Sequence, residues 1–174
     1  GVRYSEGLYK NTFIGRTFIM PGQAERKKSV KYKLVPQELE IRDKKVMIMD
    51  DSIVRGNTSR EIVRMLRDFG AKKVYFSVAC PPVKSPCFYG VDMPTKSELI
   101  AGNMTEDEIQ AYLKVDTLLY QKIDDLVEAV TRKGDHHIDT PCMACLDGNY
   151  VANDIDDAKI AEIETMRVND RKGS

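Results

Sequence analysis

The 174-residue chain lacks an excess of either charge: 27 lysines and arginines meet 27 aspartates and glutamates, and the formal net charge is zero. That balance argues against a general nucleic-acid or membrane-surface binder, local patches aside. No apolar run approaches the roughly 20 residues that span a bilayer, and no signal-peptide pattern opens the chain. Four cysteines are too few for a disulfide scaffold, and their spacing points to a reduced, cytoplasmic protein with a possible metal site. Internal repeats and low-complexity tracts are absent. The chain opens on Gly1 rather than Met, in polar, turn-like sequence, as expected of a fragment. Its length allows one domain with a sizeable core or slightly more.

What is present reads as α/β. "NTFIG" is a possible short strand, and residues 16–33 read as a mobile basic loop without periodicity. "KKVMIM" is continuously apolar, which predicts a fully buried central strand. In "SREIVRMLRDFGAKK", Ile62, Leu66 and Phe69 recur at helical spacing with Val63 and Met65 beside them, and Gly70 marks the stop. "KVYFSVAC" is a second buried strand, closed by Pro81 and Pro82. Strand, loop, helix, strand is a βαβ unit with parallel strands. Thr95 with Glu98, and Thr105 with Glu108, stand in capping-box register, with Gly102 as a stop for the first helix. "VDTLLYQ" predicts a short strand and "KIDDLVEAVTRKG" an amphipathic helix. "HHIDTPCMACLDGNY" reads as turns, and "DIDDAKIAEIETMR" as a last helix with acids in its first turn.

The stretch "VMIMDDSIVRGNTS" carries the chemistry. A strand, a Ser/Gly/Thr loop and a helix start make an anion-binding arrangement, with N–H groups and hydroxyls converging on one point. Gly56 permits close backbone approach. Neither G-x-G-x-x-G nor G-x-x-x-x-G-K-[ST] occurs, and both would put glycines where Asp50 and Asp51 stand. Two carboxylates there suit polyol recognition or a hydrated Mg²⁺. One phosphate and one sugar in a single loop point to a phosphorylated ribose.

With those residues in view, the stretch resembles the phosphoribosyl pyrophosphate (PRPP) motif of type I phosphoribosyltransferases, in the version found in the amidophosphoribosyltransferase family. The resemblance extends in order to "GRTFIMPGQ" with "KSVKYKL", to "PCFYGVDMPTKSELIA" and to "CMACLDGNYV", nearly the whole chain. It implies a partial type I phosphoribosyltransferase fold over residues 1–134, truncated at its N-terminus. A cysteine-containing segment and C-terminal helix would occupy 135–174. Asp50 and Asp51 would hold the ribose hydroxyls and organise Mg²⁺. Ser52, Ile53, Val54, Arg55, Gly56, Asn57, Thr58 and Ser59 would cradle the 5-phosphate, with Asn57 where the family usually has Thr.

The basic residues Arg16, Arg26, Lys27, Lys28, Lys31 and Lys33 read alone as a solvated charge run. The resemblance makes theirs a loop that closes over PRPP, with Arg16, Ser29 and Lys33 beside the pyrophosphate. Phe18, Ile19 and Met20 would wall an ammonia passage or simply anchor the loop. C-x-x-C at Cys142 and Cys145 is by itself ambiguous among zinc, redox and iron–sulfur uses. The cluster-bearing branch would make Cys87, Cys142 and Cys145 three of four [4Fe–4S] ligands, the fourth lying upstream, and Cys80 a small buried residue. His136 and His137 are assigned no role.

The implied reaction transfers ammonia, released from glutamine by a glutaminase domain not matched here, to C1 of PRPP. The implied setting is a cytoplasmic homo-oligomer, a tetramer when complete, inhibited by purine nucleotides. Two alternatives remain: another type I phosphoribosyltransferase, which needs neither "PCFYG" nor "CMAC", and a non-catalytic PRPP-binding regulator, which has no use for Lys33. Lys33→Ala in the complete enzyme is expected to lower turnover more than PRPP binding; an unchanged ammonia-dependent rate would remove Lys33 from the chemistry.

Overall fold

A computed structural model describes residues 1–11, 34–132, 140–152 and 155–172. Most of the expected "NTFIG" strand and all of the basic loop lie outside the described residues, as do His136 and His137. The chain forms two compact units. One comprises Gly1–Asp50, Gly56–Ser77 and Glu106–Leu119; the other comprises Asp51–Arg55, Val78–Thr105 and Tyr120–Ser174.

The first unit opens with β1 (Leu8–Lys10), which pairs antiparallel with β2 (Leu34–Pro36), Tyr9 opposite Val35. One helical turn, α1 (Glu38–Ile41), follows and buries Ile41. Then come β3 (Lys45–Asp50), α2 (Asn57–Asp68) and β4 (Lys73–Val78), the expected strand–loop–helix–strand unit. Helix α4 (Glu106–Leu113) follows the short helix described below, and β5 (Thr117–Tyr120) completes a parallel sheet of order β3–β4–β5.

Helix α2 buries Ser59, Ile62, Val63 and Leu66, the i, i+3, i+4, i+7 stripe of a helix with one apolar face. Phe69 caps its end half-buried, so the stripe runs through Ser59 rather than out to Phe69. From β4, Val74 and Phe76 are fully buried, as are Ile109 and Leu113 from α4. Arg67, in the last turn of α2, donates to the carbonyls of Lys72 and Lys114, both at 3.3 Å, and to Asp116 Oδ2 at 2.6 Å. Asp116 Oδ2 also accepts the Val74 N–H at 2.7 Å, while the Asp116 N–H donates to the Val74 carbonyl at 2.8 Å. One guanidinium and one carboxylate thus tie the helix end to the starts of two strands.

β3 departs from expectation. It was expected to be fully buried and central; among the described residues it stands at one end of the strand order, and its exposure alternates. Met47 and Met49 are 47% and 76% exposed, between half-buried Val46, Ile48 and Asp50. A strand is buried on both faces only where both faces are covered, and among the described residues one face of β3 stays open.

In the second unit, a 3₁₀ turn (Lys96–Glu98) leads into α3 (Ile100–Asn103). Thr95 and Glu98 form the expected capping box. Gly102 does not stop α3 but lies inside it, where an added Cβ would stand 2.8 Å from the Lys84 carbonyl oxygen. The helix keeps glycine for close approach, not for termination. Helix α5 (Ile123–Thr131) lies within the expected 122–134 span and ends at Thr131 rather than near Gly134. Within the expected turns around the cysteines stands a one-turn helix, α6 (Ala144–Asp147), and α7 (Asp157–Lys172) is the expected last helix. Val83, Leu99 and Leu146 form the core here, with Val54, Cys80, Met93, Ile123, Leu126, Met143 and Cys145 packed against them. Among the described residues, no helix is long and apolar enough to cross a membrane.

The Val74 N–H, and behind it Arg67 and Lys73, hold the Asp116 carboxyl below the usual carboxylate range against the opposing effect of burial. A depressed folded pKa gives stability that is full above the unfolded value of about 3.9 and is lost as pH falls through the folded pKa. Asp116→Asn is therefore expected to cost about 1 kcal/mol near neutrality, because the side chain remains partly exposed. That deficit should shrink as pH falls below about 4, as denaturant melts from pH 3 to 7 would register.

Candidate functional site

Residues 50–59 run consecutively through both units. Asp50 ends β3, half-buried, where the first unit's sheet presents the carboxyl end of a strand. In parallel sheets, ligands bind at such ends. In the same unit, Gly56 adopts φ 73° and ψ −8°, the left-handed region, as the N-cap of α2. Its carbonyl accepts the Arg60 N–H at 2.9 Å. Asn57 and Thr58 are exposed in the first turn, and Ser59 is buried. Asn57 Oδ1 accepts the Tyr112 hydroxyl at 3.3 Å, and the Arg60 guanidinium lies 4.6 Å from the Tyr112 ring centroid. This cation–π contact joins the start of α2 to α4.

In the second unit, Asp51 is exposed, and Ser52 Oγ donates to Asp51 Oδ1 at 3.1 Å. The Asp51 carbonyl accepts the Cys80 N–H at 3.0 Å, and the Val54 carbonyl accepts the Ile100 N–H at 2.9 Å. Ile53 is 2% exposed, so its side chain anchors the loop in the core and only its backbone can meet a ligand. Arg55 Nε and Nη2 both reach Glu98 Oε1 at 3.0 Å. Burial works to raise the Glu98 pKa, but Arg55 and the bonds from Thr95 outweigh it and hold the carboxyl below its ordinary range.

The cysteine segment also belongs to the second unit. The Cys145 carbonyl accepts the N–H groups of Lys84 and Ser85, at 2.9 and 3.0 Å. Cys87 Sγ accepts the Tyr89 N–H at 3.3 Å. Tyr150 donates its hydroxyl to the Pro86 carbonyl at 2.7 Å, and its ring stands 5.2 Å from Phe88 and 6.2 Å from Tyr89. The Ala152 N–H returns to the Tyr89 hydroxyl at 2.9 Å. Residues 84–89 and 145–152 are thus laced together, Cys87 lying on one of the joined segments and Cys145 on the other. Burial first, then the neighbouring Cys87, push the Cys145 thiol up, with Cys142 adding to the rise. Burial, then Cys145 and Asp51, push up Cys80, which is half-buried rather than fully enclosed. Burial drives Tyr150 up to about 12. Three thiolates are the right donors for an iron–sulfur cluster. Among the described residues, however, no three His, Cys, Asp or Glu side chains stand close enough together to hold a metal ion.

Arg16, Ser29 and Lys33 lie outside the described residues. Sequence reasoning assigned Glu98 only a capping role and passed over Arg60 and Tyr112. Glu98 was at least visible as the third residue of its capping box; nothing in local periodicity pairs Tyr112 with Asn57.

No protein-family model matches the chain. It is 50% identical over 167 residues to an amidophosphoribosyltransferase of Pseudomonas aeruginosa, covering 96% of this chain and 33% of that protein. To the Escherichia coli amidophosphoribosyltransferase it is 44% identical over 172 residues, 99% of this chain and 34% of the relative. Among solved structures, glutamine PRPP amidotransferase from Bacillus subtilis, complexed with ADP and GMP, aligns with a TM-score of 0.71. Identity there is 42%, over 87% of this chain and 33% of that one. A structure described as the allosteric regulatory enzyme of purine biosynthesis aligns at 0.75 and 40% identity, over 94% of this chain and 35% of that one. The chain therefore spans about a third of the length of the curated relatives it matches.

An alanine at position 56 would have to hold the left-handed backbone that glycine holds freely. Gly56→Ala is expected to lose about 1–2 kcal/mol in urea unfolding, with Gly56→Asn nearer the wild type. Equal stability of all three proteins would mean that the turn relaxes to another conformation.

Proposed function

Because this chain belongs, as a C-terminal part, to the amidophosphoribosyltransferase family, we propose that it is the PRPP-binding portion of an enzyme making 5-phosphoribosylamine. The complete enzyme would transfer glutamine-derived ammonia to C1 of PRPP and release pyrophosphate, the first step of de novo purine synthesis. The observation that carries this reading is the strand–loop–helix of residues 45–68. There an aspartate ends the strand and a left-handed glycine starts the helix, in a chain that aligns almost throughout with PRPP amidotransferases.

In this reading the N–H groups of residues 52–59 and the hydroxyls of Ser52 and Thr58 receive the 5-phosphate. Asp50 and Asp51 bind the ribose hydroxyls, and the exposed Asp51 has room for a hydrated Mg²⁺. When bound, Mg²⁺ would offset charge on the departing pyrophosphate. Arg16, Ser29 and Lys33 are assigned to the same leaving group, where fixed cations act on charge as it develops, and closure of their loop would exclude water from C1. Cys87, Cys142 and Cys145 are proposed as three ligands of a [4Fe–4S] cluster that fastens residues 135–174 to the transferase core, 1–134. Lacing of residues 84–89 to 145–152 supports that assignment. Purine nucleotides as inhibitors, a tetrameric state and a cytoplasmic location complete the proposal. The ADP and GMP in the Bacillus subtilis structure support the first of these.

Calorimetric titration of the full-length protein with Mg²⁺ and PRPP is expected to show binding that Asp51→Asn weakens at least about tenfold, the scale of a lost charge-assisted contact. Absence of binding by the wild-type protein would overturn the reading.

A further inference from the structure

The loop that holds Asp51 to Arg55 is gripped from a distance in sequence. We infer that Glu98 is a positioning residue for the ligand loop, holding Arg55 and thereby the backbone of residues 51–55 in the shape that receives a phosphorylated ligand. The inference rests on the PRPP reading above and goes beyond it, because Glu98 is not among the loop residues and touches the ligand in no part of that reading.

The Glu98 carboxylate is divided between two partners. Oε2 accepts the Thr95 N–H at 3.2 Å and the Thr95 hydroxyl at 3.1 Å, which fixes the carboxylate to the start of the 3₁₀ turn. Oε1 takes Arg55 through two nitrogens, each at 3.0 Å. Thr95 is 4% exposed, so the anchor is buried, while the pair itself is about one-third exposed. The same segment takes hold of the loop a second time, since the Ile100 N–H donates to the Val54 carbonyl at 2.9 Å. Asn103 Nδ2 stiffens the segment, donating to the carbonyls of Lys96 at 2.9 Å and Leu99 at 2.7 Å, and Glu164 of α7 accepts the Lys96 N–H. A cap alone would need only Oε2. Having the second oxygen on Arg55 sets the loop before ligand arrives, and preorganisation of this kind lowers the ordering cost of binding.

Glutamine separates the two roles, because a capping box accepts Glu or Gln while only glutamate carries charge to Arg55. In the full-length protein, Glu98→Gln should keep Tm within about 3 °C of the wild type and weaken Mg²⁺–PRPP binding about five- to tenfold. In an Arg55→Ala background the same substitution should add less than about twofold, because the group it acts through is gone. Affinity within twofold of the wild type, or the same five- to tenfold loss with Arg55 absent, would overturn the inference. Amide exchange without ligand separates its fate from that of the PRPP reading. Exchange faster by about tenfold at residues 52–55 in Glu98→Gln, with α2 unchanged, sustains the clamp even if PRPP fails to bind the wild type. Unchanged exchange there defeats the clamp even if PRPP binds.

Discussion

A single backbone torsion governs what the central part of this chain can be. After β3 the polypeptide must leave the sheet and enter a helix whose first N–H groups have no intrahelical partner. The left-handed conformation of Gly56 makes that passage in one residue. Upstream of it, the loop can end on Arg55; downstream, Asn57 and Thr58 stand in an exposed first turn while Ser59 already belongs to the buried stripe. A β-branched side chain at position 56 would oppose that turn sterically.

Elsewhere the molecule relies on polar groups that serve two partners at once. Asp116 receives a strand N–H and a helix-end arginine on the same oxygen. The Cys145 carbonyl takes two successive N–H groups. Sharing of this sort concentrates order in few atoms. It also makes local deletions costly out of proportion to their size, since each removed acceptor strands more than one donor.

The βαβ unit was legible because its signals are local: two apolar runs, one amphipathic stripe and a glycine at the helix end. The strand end and helix start within 50–59 were legible for the same reason, being consecutive. What escaped was non-local or without a face. A continuous run such as "KVMIM" says that a strand wants to leave water but not whether both sides succeed, so the exposure of Met47 and Met49 was invisible. β1 and β2 are three residues each, and the registry of Tyr9 with Val35 leaves no periodic trace. Gly102 looked like a helix stop because a glycine's close neighbour, here the Lys84 carbonyl, is not written beside it. Arg55 and Glu98 are 43 positions apart, and only the fold discloses their pairing.

The face of β3 that stays open among the described residues has a chemical corollary. Met49 is 76% exposed and adjoins Asp50 in the chain. Peroxide turns an exposed thioether into a chiral, polar sulfoxide. A protein whose strand ends in this way carries an oxidant-sensitive atom one residue from its aspartate pair, and a methionine sulfoxide reductase acting there would restore the native side chain at the threshold of the loop.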